Sequence, residues 1–306
     1  MRAVVYDRFT KDFDDLQLRE VPEPKVAPGS VLIEVKAAGV NPVDWKVMAG
    51  YLDAILPTQF PVIPGWDVAG VVIATGADTP EFQVGDEVMA YARKDVVGAG
   101  TFAERVAVPV QAVARKPASL TWEQAGGLPL AGGTALRCID ALGELHARTV
   151  LIHGASGGVG SLAVQIAIAR GARVIGTASE RNHDYLRGLG AHPITYGEGL
   201  ADRVRALVDG PVDAVADFAG GMMRDTIDVL EPDGVHVSVA DSSAAAHGGR
   251  YIWVRPDGAE TARLASLADE GRLHVEVAEA FPLDRVADAF RASASGHTRG
   301  KLVIVP

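Results

Sequence analysis

The chain has 306 residues, 48% of them hydrophobic and 22% charged, which is typical of a globular protein with one large or two smaller domains. Its formal charge of -10 disfavours nonspecific binding to nucleic acid or to an anionic membrane, because both partners are negatively charged. A lone cysteine, Cys138, excludes an internal disulfide and a thiolate zinc cluster. The N-terminus lacks a signal-peptide core, and no apolar run reaches the roughly 20 residues that cross a bilayer, so we expect a cytoplasmic protein.

The first part of the chain consists of short β-branched runs separated by Pro, Gly and Asp. Examples are "AVVYDRF", "SVLIEVKAAGV", "DVAGVVIATG", "GDEVMAY" and "AERVAVP". Short strands between turn residues are typical of a small barrel-like β domain. We place this domain at residues 1–118.

From residue 119 to 271 the pattern changes to alternating strands and helices. "RTVLIHGAS" predicts a buried strand and "SLAVQIAIARG" a helix, and the alternation continues through "ARVIGTAS", "RNHDYLRGLG", "PVDAVADFAG", the predicted helix "MMRDTIDVLEPDG" and "GVHVSVAD". Such a series predicts parallel strands with right-handed crossovers, so the fold class is α/β with a doubly wound Rossmann sheet. Residues 272–306 return to the first pattern, and we expect them to complete the first domain.

The segment "VLIHGASGGVGSLAVQIA" joins a predicted buried strand to a predicted helix. Its glycines, Gly154, Gly157, Gly158 and Gly160, allow a tight turn and a close approach of the backbone to a pyrophosphate, and the helix start supplies N–H groups. A purely structural turn is the alternative. Because the loop follows the first strand of an α/β series, we predict dinucleotide binding here.

The end of the next strand indicates which dinucleotide binds. NAD enzymes place a carboxylate there, but this strand ends "GTASERN", with Ala178 and Ser179 at its tip and Glu180 followed by Arg181. A hydroxyl and a guanidinium suit a 2′-phosphate, so we predict NADP(H). In the alternative, Arg181 is a solvated residue at a helix start.

The stretch "GVNPVDWK", residues 39–46, follows the strand "SVLIEVKAAGV" and allows two interpretations. Asn-Pro is common where a turn opens a helix, and Asp44 then ties its carboxylate to the backbone of the first turn. The other interpretation is chemical, since an amide, a carboxylate, an indole and an ammonium lie within a few positions. The stretch alone does not decide between them.

Taken together, these motifs resemble the quinone oxidoreductase, or zeta-crystallin-like, branch of the medium-chain dehydrogenase/reductases. The resemblance covers nearly the whole chain and includes "PGSVLIEVKAAGVNPVDWK", "IPGWDVAGVV", "VGDEVMAY", "GTFAERVAV", "LPLAGGTA", "HGASGGVG" and "RGKLVIV". It implies a GroES-like catalytic domain, a Rossmann domain, an active-site cleft between them, and a homodimer.

The zinc alcohol dehydrogenases of this superfamily carry a Cys after the Ala-Gly strand and a Gly-His-Glu further on. This chain has Asn41 at the first place and Gly65-Trp66-Asp67 at the second. An amide and an indole are not competent zinc ligands, so we predict no metal. Without a Lewis acid, conjugated acceptors are easier to reduce than simple ketones, so the resemblance implies hydride transfer from NADPH to a quinone or an α,β-unsaturated carbonyl.

The resemblance also implies roles for individual residues. Asn41 would lie beside the nicotinamide ribose and the substrate, Lys46 and Tyr51 are candidate proton donors, and Trp66 would line the acceptor pocket; Tyr51 and Trp66 could instead serve packing alone. Further expected cofactor contacts are Thr134 near the nicotinamide, Ser156 to Val159 at the pyrophosphate, Ser179, Arg181 and Tyr196 at the 2′-phosphate, Phe218, Ala219, Gly220 and Ala240 at strand ends, and Lys301 or Arg299 from the tail. In the alternative, Lys301 and Arg299 are plain surface charges.

Two other functions fit the same sequence. One is a trans-acting enoyl reductase for thioesters or polyketide intermediates, with the same hydride chemistry on a larger substrate. The other is a non-catalytic NADPH-binding protein, since a fold can be kept without its activity.

Overall fold

The computed structural model describes residues 1–306. The helices and strands of residues 1–141 are, in chain order, β1 (Arg2–Val5), β2 (Gln17–Glu20), β3 (Ser30–Val40), α1 (Pro42–Met48), β4 (Thr58–Ile63), β5 (Asp67–Thr75), β6 (Glu87–Tyr91), β7 (Val97–Ala99), β8 (Arg105–Pro109), β9 (Val113–Arg115), α2 (Trp122–Gly127) and α3 (Pro129–Ala141). Short 3-10 helices lie at Phe13–Asp15 and Val110–Ala112.

The remaining elements follow in two groups. The first comprises β10 (Thr149–His153), α4 (Gly160–Ala169), β11 (Arg173–Thr177), α5 (His183–Gly188), β12 (His192–Ile194), α6 (Leu200–Val208), β13 (Val212–Asp217), α7 (Met223–Val229), β14 (Leu230–Ser238) and β15 (Arg250–Tyr251). The second comprises α8 (Gly258–Asp269), β16 (Val277–Pro282), α9 (Val286–Ala294) and β17 (Lys301–Val305). Further 3-10 helices lie at Glu180–Asn182, Ser242–His247 and Leu283–Arg285. No helix is long and apolar enough to cross a membrane.

Two compact units make up the chain, and each is described on its own. The first contains Met1–Ala131, Arg255–Gly271 and Val275–Pro306, and the second contains Gly132–Val254 and Arg272–His274. This division differs from the predicted one, which ended the first domain at residue 118 and put residues 255–271 in the nucleotide domain. The reason is α8, which packs on β9 within the first unit and approaches it so closely that a Cβ at Gly258 would lie 2.5 Å from the Val113 carbonyl oxygen.

The second unit contains a six-stranded sheet in the order β12-β11-β10-β13-β14-β15. Every neighbouring pair in it is parallel. The chain order reverses at β10, so the carboxyl ends of β10 and β13 lie side by side at the switch point, where ligands of such sheets bind. The predicted doubly wound parallel sheet is confirmed.

The first unit is built around a seven-stranded sheet in the order β16-β17-β3-β5-β6-β9, with β8 also paired to β3. β3 is its longest strand, with 11 residues, and its end at Val40 leads directly to α1. The C-terminal β17 pairs antiparallel with this end, placing Leu302 opposite Val40. The last strand of the chain therefore lies beside the first candidate site residue, Asn41.

Candidate functional site

Asn41 ends β3 and opens α1, and its backbone explains half of the stretch "GVNPVDWK". The Asn41 N–H donates to Asp44 Oδ2 at 2.8 Å, so the carboxyl group of the first helical turn reaches back to the N-cap. Pro42 occupies the first helical position, where its missing N–H costs nothing. The structural interpretation is thus confirmed for Pro42 and Asp44.

The Asn41 side chain has a different set of partners. Its Nδ2 donates to Asp67 Oδ2 at 2.9 Å, and its Oδ1 accepts from Lys301 Nζ at 2.5 Å. Lys301 Nζ also donates to the Val40 carbonyl at 3.0 Å, and Asp67 Oδ1 accepts from the Leu130 N–H at 2.7 Å. The amide orientation of Asn41 is therefore held from both sides, by an anion at the nitrogen and by a cation at the oxygen.

We call Asn41, Asp44, Asp67 and Lys301 the buried polar cluster, because each is at most 4% exposed. Burial raises the pKa of Asp44 to about 8 and that of Asp67 to about 6, while Lys301 opposes the rise at both. Burial also lowers the pKa of Lys301, and the two carboxyl groups oppose this decrease. Near neutral pH Asp44 is thus protonated, and the Lys301 ammonium faces the Asp67 carboxylate.

The other three predicted catalytic residues lie outside this cluster. Trp66 is 6% exposed, and its ring centroid is 6.2 Å from that of Tyr91, so it serves packing at the least. Tyr51 is 58% exposed, with Lys11 Nζ 5.3 Å from the centre of its ring. Lys46 is also exposed, with its Nζ 5.5 Å from the Trp45 ring. The structure therefore unites Asn41 and Lys301 but brings neither candidate proton donor to them.

In the second unit, β10 runs through the glycine loop into α4. Gly154 has φ +68, and a Cβ at Gly160 would lie 2.1 Å from the Gly154 carbonyl oxygen, so only glycine allows the loop to close on the helix. Ser156, Gly157, Gly158 and Val159 are half-buried along this loop, and α4 begins at its end. A backbone-lined turn at a helix start is suited to hold a pyrophosphate.

Asn182 links the glycine loop to the end of β11, a link that the sequence analysis missed. Its Nδ2 donates to Ser156 Oγ at 3.1 Å and to Ser179 Oγ at 3.5 Å. Because both serines accept from this amide, their own hydroxyl hydrogens are left to point elsewhere. Of the other residues predicted at the 2′-phosphate, Arg181 lies in the 3-10 helix that follows Ser179, and Tyr196 is 54% exposed.

The remaining predicted cofactor residues of the second unit lie at strand ends or on a helix. Phe218, Ala219 and Gly220 follow β13, and Asp217 Oδ1 fixes this turn by accepting from the Ala219 and Gly220 N–H groups at 2.9 and 3.0 Å. A Cβ at Gly220 would meet Ala240, and one at Gly154 would meet Ala219, so the ends of β10, β13 and β14 converge. Thr134 is buried on α3.

A zinc ion does not fit the first unit. Trp66 and Asn41 offer no competent zinc ligand, both Asp67 oxygens accept N–H donors, and the Lys301 ammonium already supplies a positive charge beside them. No group of three or more His, Cys, Asp or Glu side chains is placed to hold a metal ion.

Known protein families and individual proteins match this chain in sequence. Residues 27–118 match the alcohol dehydrogenase GroES-like domain, and residues 189–304 match the zinc-binding dehydrogenase family. A chloroplastic quinone-oxidoreductase of Triphysaria versicolor is 30% identical, covering 100% of this chain and 98% of that protein. The NADPH-dependent alkenal/one oxidoreductase of Arabidopsis thaliana chloroplasts is 32% identical, covering 100% of this chain and 80% of that protein.

Among solved structures, the quinone oxidoreductase from Coxiella burnetii superposes with a TM-score of 0.88 at 33% identity, covering 100% of this chain and 99% of that one. The similarity extends over both units, and it includes the GroES-like domain and the α/β sheet that the sequence predicted. The chain is therefore an oxidoreductase that belongs to the quinone oxidoreductase, or zeta-crystallin-like, branch of the medium-chain dehydrogenase/reductase superfamily.

Proposed function

We propose that this oxidoreductase transfers hydride from NADPH to a quinone or an α,β-unsaturated carbonyl without zinc. The names of its relatives support this substrate class, since one is a quinone-oxidoreductase and another an NADPH-dependent alkenal/one oxidoreductase. The observation that carries the proposal is the set of bonds around Asn41. The amide that stands where the zinc relatives place a thiolate is fixed by Asp67 and Lys301, a cation belonging to the chain itself.

The buried polar cluster suits the reduction of a conjugated acceptor. NADPH supplies the hydride, and hydride addition to an electron-poor carbon leaves negative charge on an oxygen. The Lys301 ammonium donates to the Asn41 amide oxygen and places positive charge beside this amide, where it stabilises such negative charge without a metal, and the protonated Asp44 adds no negative charge to the cluster. The role of Asn41 is to orient the bound ligand, because hydrogen bonds hold its amide in place before any ligand arrives.

We assign the cofactor contacts of the second unit as the sequence predicted them. Ser156 to Val159 bind the pyrophosphate, and Ser179, Arg181 and Tyr196 bind the 2′-phosphate, which makes NADP(H) the cofactor. The hydrogen bonds of Asn182 support this, since they leave the hydroxyl hydrogens of Ser156 and Ser179 for donation to phosphate oxygens. Thr134, Phe218, Ala219, Gly220 and Ala240 complete the nucleotide site of the second unit.

The test is oxidation of NADPH and of NADH with a panel of quinones, enones and enoyl thioesters, each with and without a chelator. We expect turnover of quinones or enones, a preference for NADPH, and no effect of the chelator. Loss of activity with the chelator would overturn zinc independence, and a strong preference for NADH would overturn the 2′-phosphate site. Turnover of enoyl thioesters alone would favour the trans-acting enoyl reductase, and tight NADPH binding without any turnover would favour a binding protein. The expected homodimer is tested separately by light scattering.

A further inference from the structure

Arg93 and Lys94 are two cations of the first unit that form no ion pair with a carboxylate. They follow β6, in the loop that leads to β7, and both side chains are half-buried. The Nε atom of Arg93 is buried without a hydrogen-bond partner. Lys94 loses hydration in this loop, and this burial alone lowers its pKa, with no carboxylate to oppose the shift.

Several other cations of the unit do have a carboxylate partner. Arg2, Arg19 and Arg105 each form an ion pair with a carboxylate, and the fully buried Lys301 faces two. In a chain with a net charge of -10, carboxylates are plentiful, yet none pairs with Arg93 or Lys94. Shielding a charge from water is unfavourable unless an opposite charge compensates for it. The missing compensation indicates a bound anion.

The loop begins next to Trp66, which the family resemblance implies would line the acceptor pocket. The Ala92 N–H donates to the Trp66 carbonyl at 2.6 Å, and the ring of Tyr91 packs on the Trp66 indole. Arg93 also interacts with Tyr91, since its charge and a side-chain hydrogen bond oppose the rise in the pKa of the Tyr91 hydroxyl that burial causes. A neutral hydroxyl does not balance the guanidinium charge, so this contact leaves Arg93 without a counter-ion.

The other end of the loop is tied to a second part of the candidate site. The Val97 N–H donates to the Pro57 carbonyl at 2.9 Å, and β7 pairs with β4 beside it. Pro57 ends the segment that begins with Tyr51, the exposed phenol among the predicted catalytic residues. Arg93 and Lys94 therefore lie in a loop held at one end to Trp66 and at the other to the Tyr51 segment.

We propose that Arg93 and Lys94 form an anion subsite for the acceptor, so that the substrate carries a carboxylate or phosphate in addition to its conjugated carbonyl. This inference rests on the proposed function for the identity of the acceptor. Arg93 offers a planar set of donors and Lys94 a point charge, a combination that suits either group.

Binding of two saturated ketones tests the subsite without any turnover. 4-(3-Oxobutyl)benzoate and the neutral 4-phenylbutan-2-one differ only in the carboxylate, and calorimetry measures both on the NADP-saturated protein. We expect the carboxylate to bind about tenfold more tightly, the effect of one or two charged hydrogen bonds. Arg93→Gln and Lys94→Gln should each remove most of this ratio and leave the affinity for the neutral ketone unchanged. Lys25→Gln, the same change at an exposed position, should leave the ratio intact.

Two results would overturn the proposal. One is equal affinity of the wild-type protein for both ketones. The other is a loss of affinity for 2′,5′-ADP in the Lys94→Gln variant that equals its loss of affinity for the carboxylate. This result would assign these cations to the cofactor phosphates instead. The corresponding enones, which are reducible, separate this inference from the proposed function. A carboxylate preference in binding without any enone reduction would sustain the anion subsite and refute the reductase.

Discussion

Replacing Asp44 by Asn should change how the stability of this protein depends on pH. The folded chain keeps a proton on the Asp44 carboxyl up to a pKa of about 8, whereas an unfolded Asp releases it near its usual pKa of 3.8. The contribution of this proton to the free energy of unfolding is therefore complete below the unfolded pKa and is lost as the pH rises through the folded one. Asn removes the titration and keeps an oxygen that can accept from the Asn41 N–H.

The magnitude follows from the width of this window. Between about pH 5 and pH 8, the folded state binds one proton more than the unfolded state, and each pH unit costs about 1.4 kcal/mol, so Asp44 lowers the free energy of unfolding by about 4 kcal/mol over the range. Asp67, whose pKa rises to about 6, adds to this slope at the acidic end in both proteins. The difference between wild type and Asp44→Asn isolates the Asp44 contribution.

Urea denaturation at several pH values, followed by intrinsic tryptophan fluorescence, measures this difference. We expect the Asp44→Asn variant to lose less stability than the wild type between about pH 5 and pH 8. Asp53→Asn, the same change at an exposed residue of the first unit, should keep the wild-type slope. Identical slopes for the wild type and Asp44→Asn would refute the assignment of a buried, protonated carboxyl at this position.

Three further changes test the two units. Gly160→Ala should abolish NADPH binding measured by fluorescence titration, because its Cβ would lie 2.1 Å from the Gly154 carbonyl oxygen, whereas Gly188→Ala, with nothing within 4 Å, should bind normally. Arg181→Ala should raise the KM for NADPH about tenfold and leave that for NADH nearly unchanged; equal effects would remove Arg181 from the phosphate site. Lys301→Met should lower the free energy of unfolding at neutral pH by about 3–5 kcal/mol, because the Asn41 amide oxygen loses its charged donor and the buried Asp67 carboxylate loses a nearby positive charge, and unchanged denaturation would contradict this arrangement.

Patterns within single elements were sufficient to predict the architecture. The alternation after residue 119 predicted the parallel order of the second unit, and the glycines from 154 to 160 predicted a turn between strand and helix. The prediction was less successful at α7, which ends at Val229 although the predicted helix continued to residue 234. Pro232 was the available signal, since proline is unfavourable inside a helix and is tolerated near a strand edge.

The location of α8 illustrates what local patterns leave open. The predicted domain boundaries put this segment in the nucleotide domain, because local patterns do not show which of two sheets a segment packs on. That choice was made by tertiary contacts, since Gly258 allows the helix to approach the backbone of β9 and the Ser119 N–H donates to Asp269 at 3.1 Å. A helix buries one face, and the surface that covers this face belongs to a distant part of the chain.

The sequence by itself determined the fold class, the glycine loop and the replacement of metal ligands at Asn41 and Trp66, because each depends on residue type and spacing within one segment. Only the tertiary structure decided that Asn41 is held between Asp67 and Lys301, which lie 26 and 260 residues away along the chain. Burial of these charges requires partners at hydrogen-bond distance, and folding alone brings such partners together. Only the tertiary structure likewise decided that Arg93 and Lys94, two ordinary cations in the sequence, are half-buried without a counter-ion.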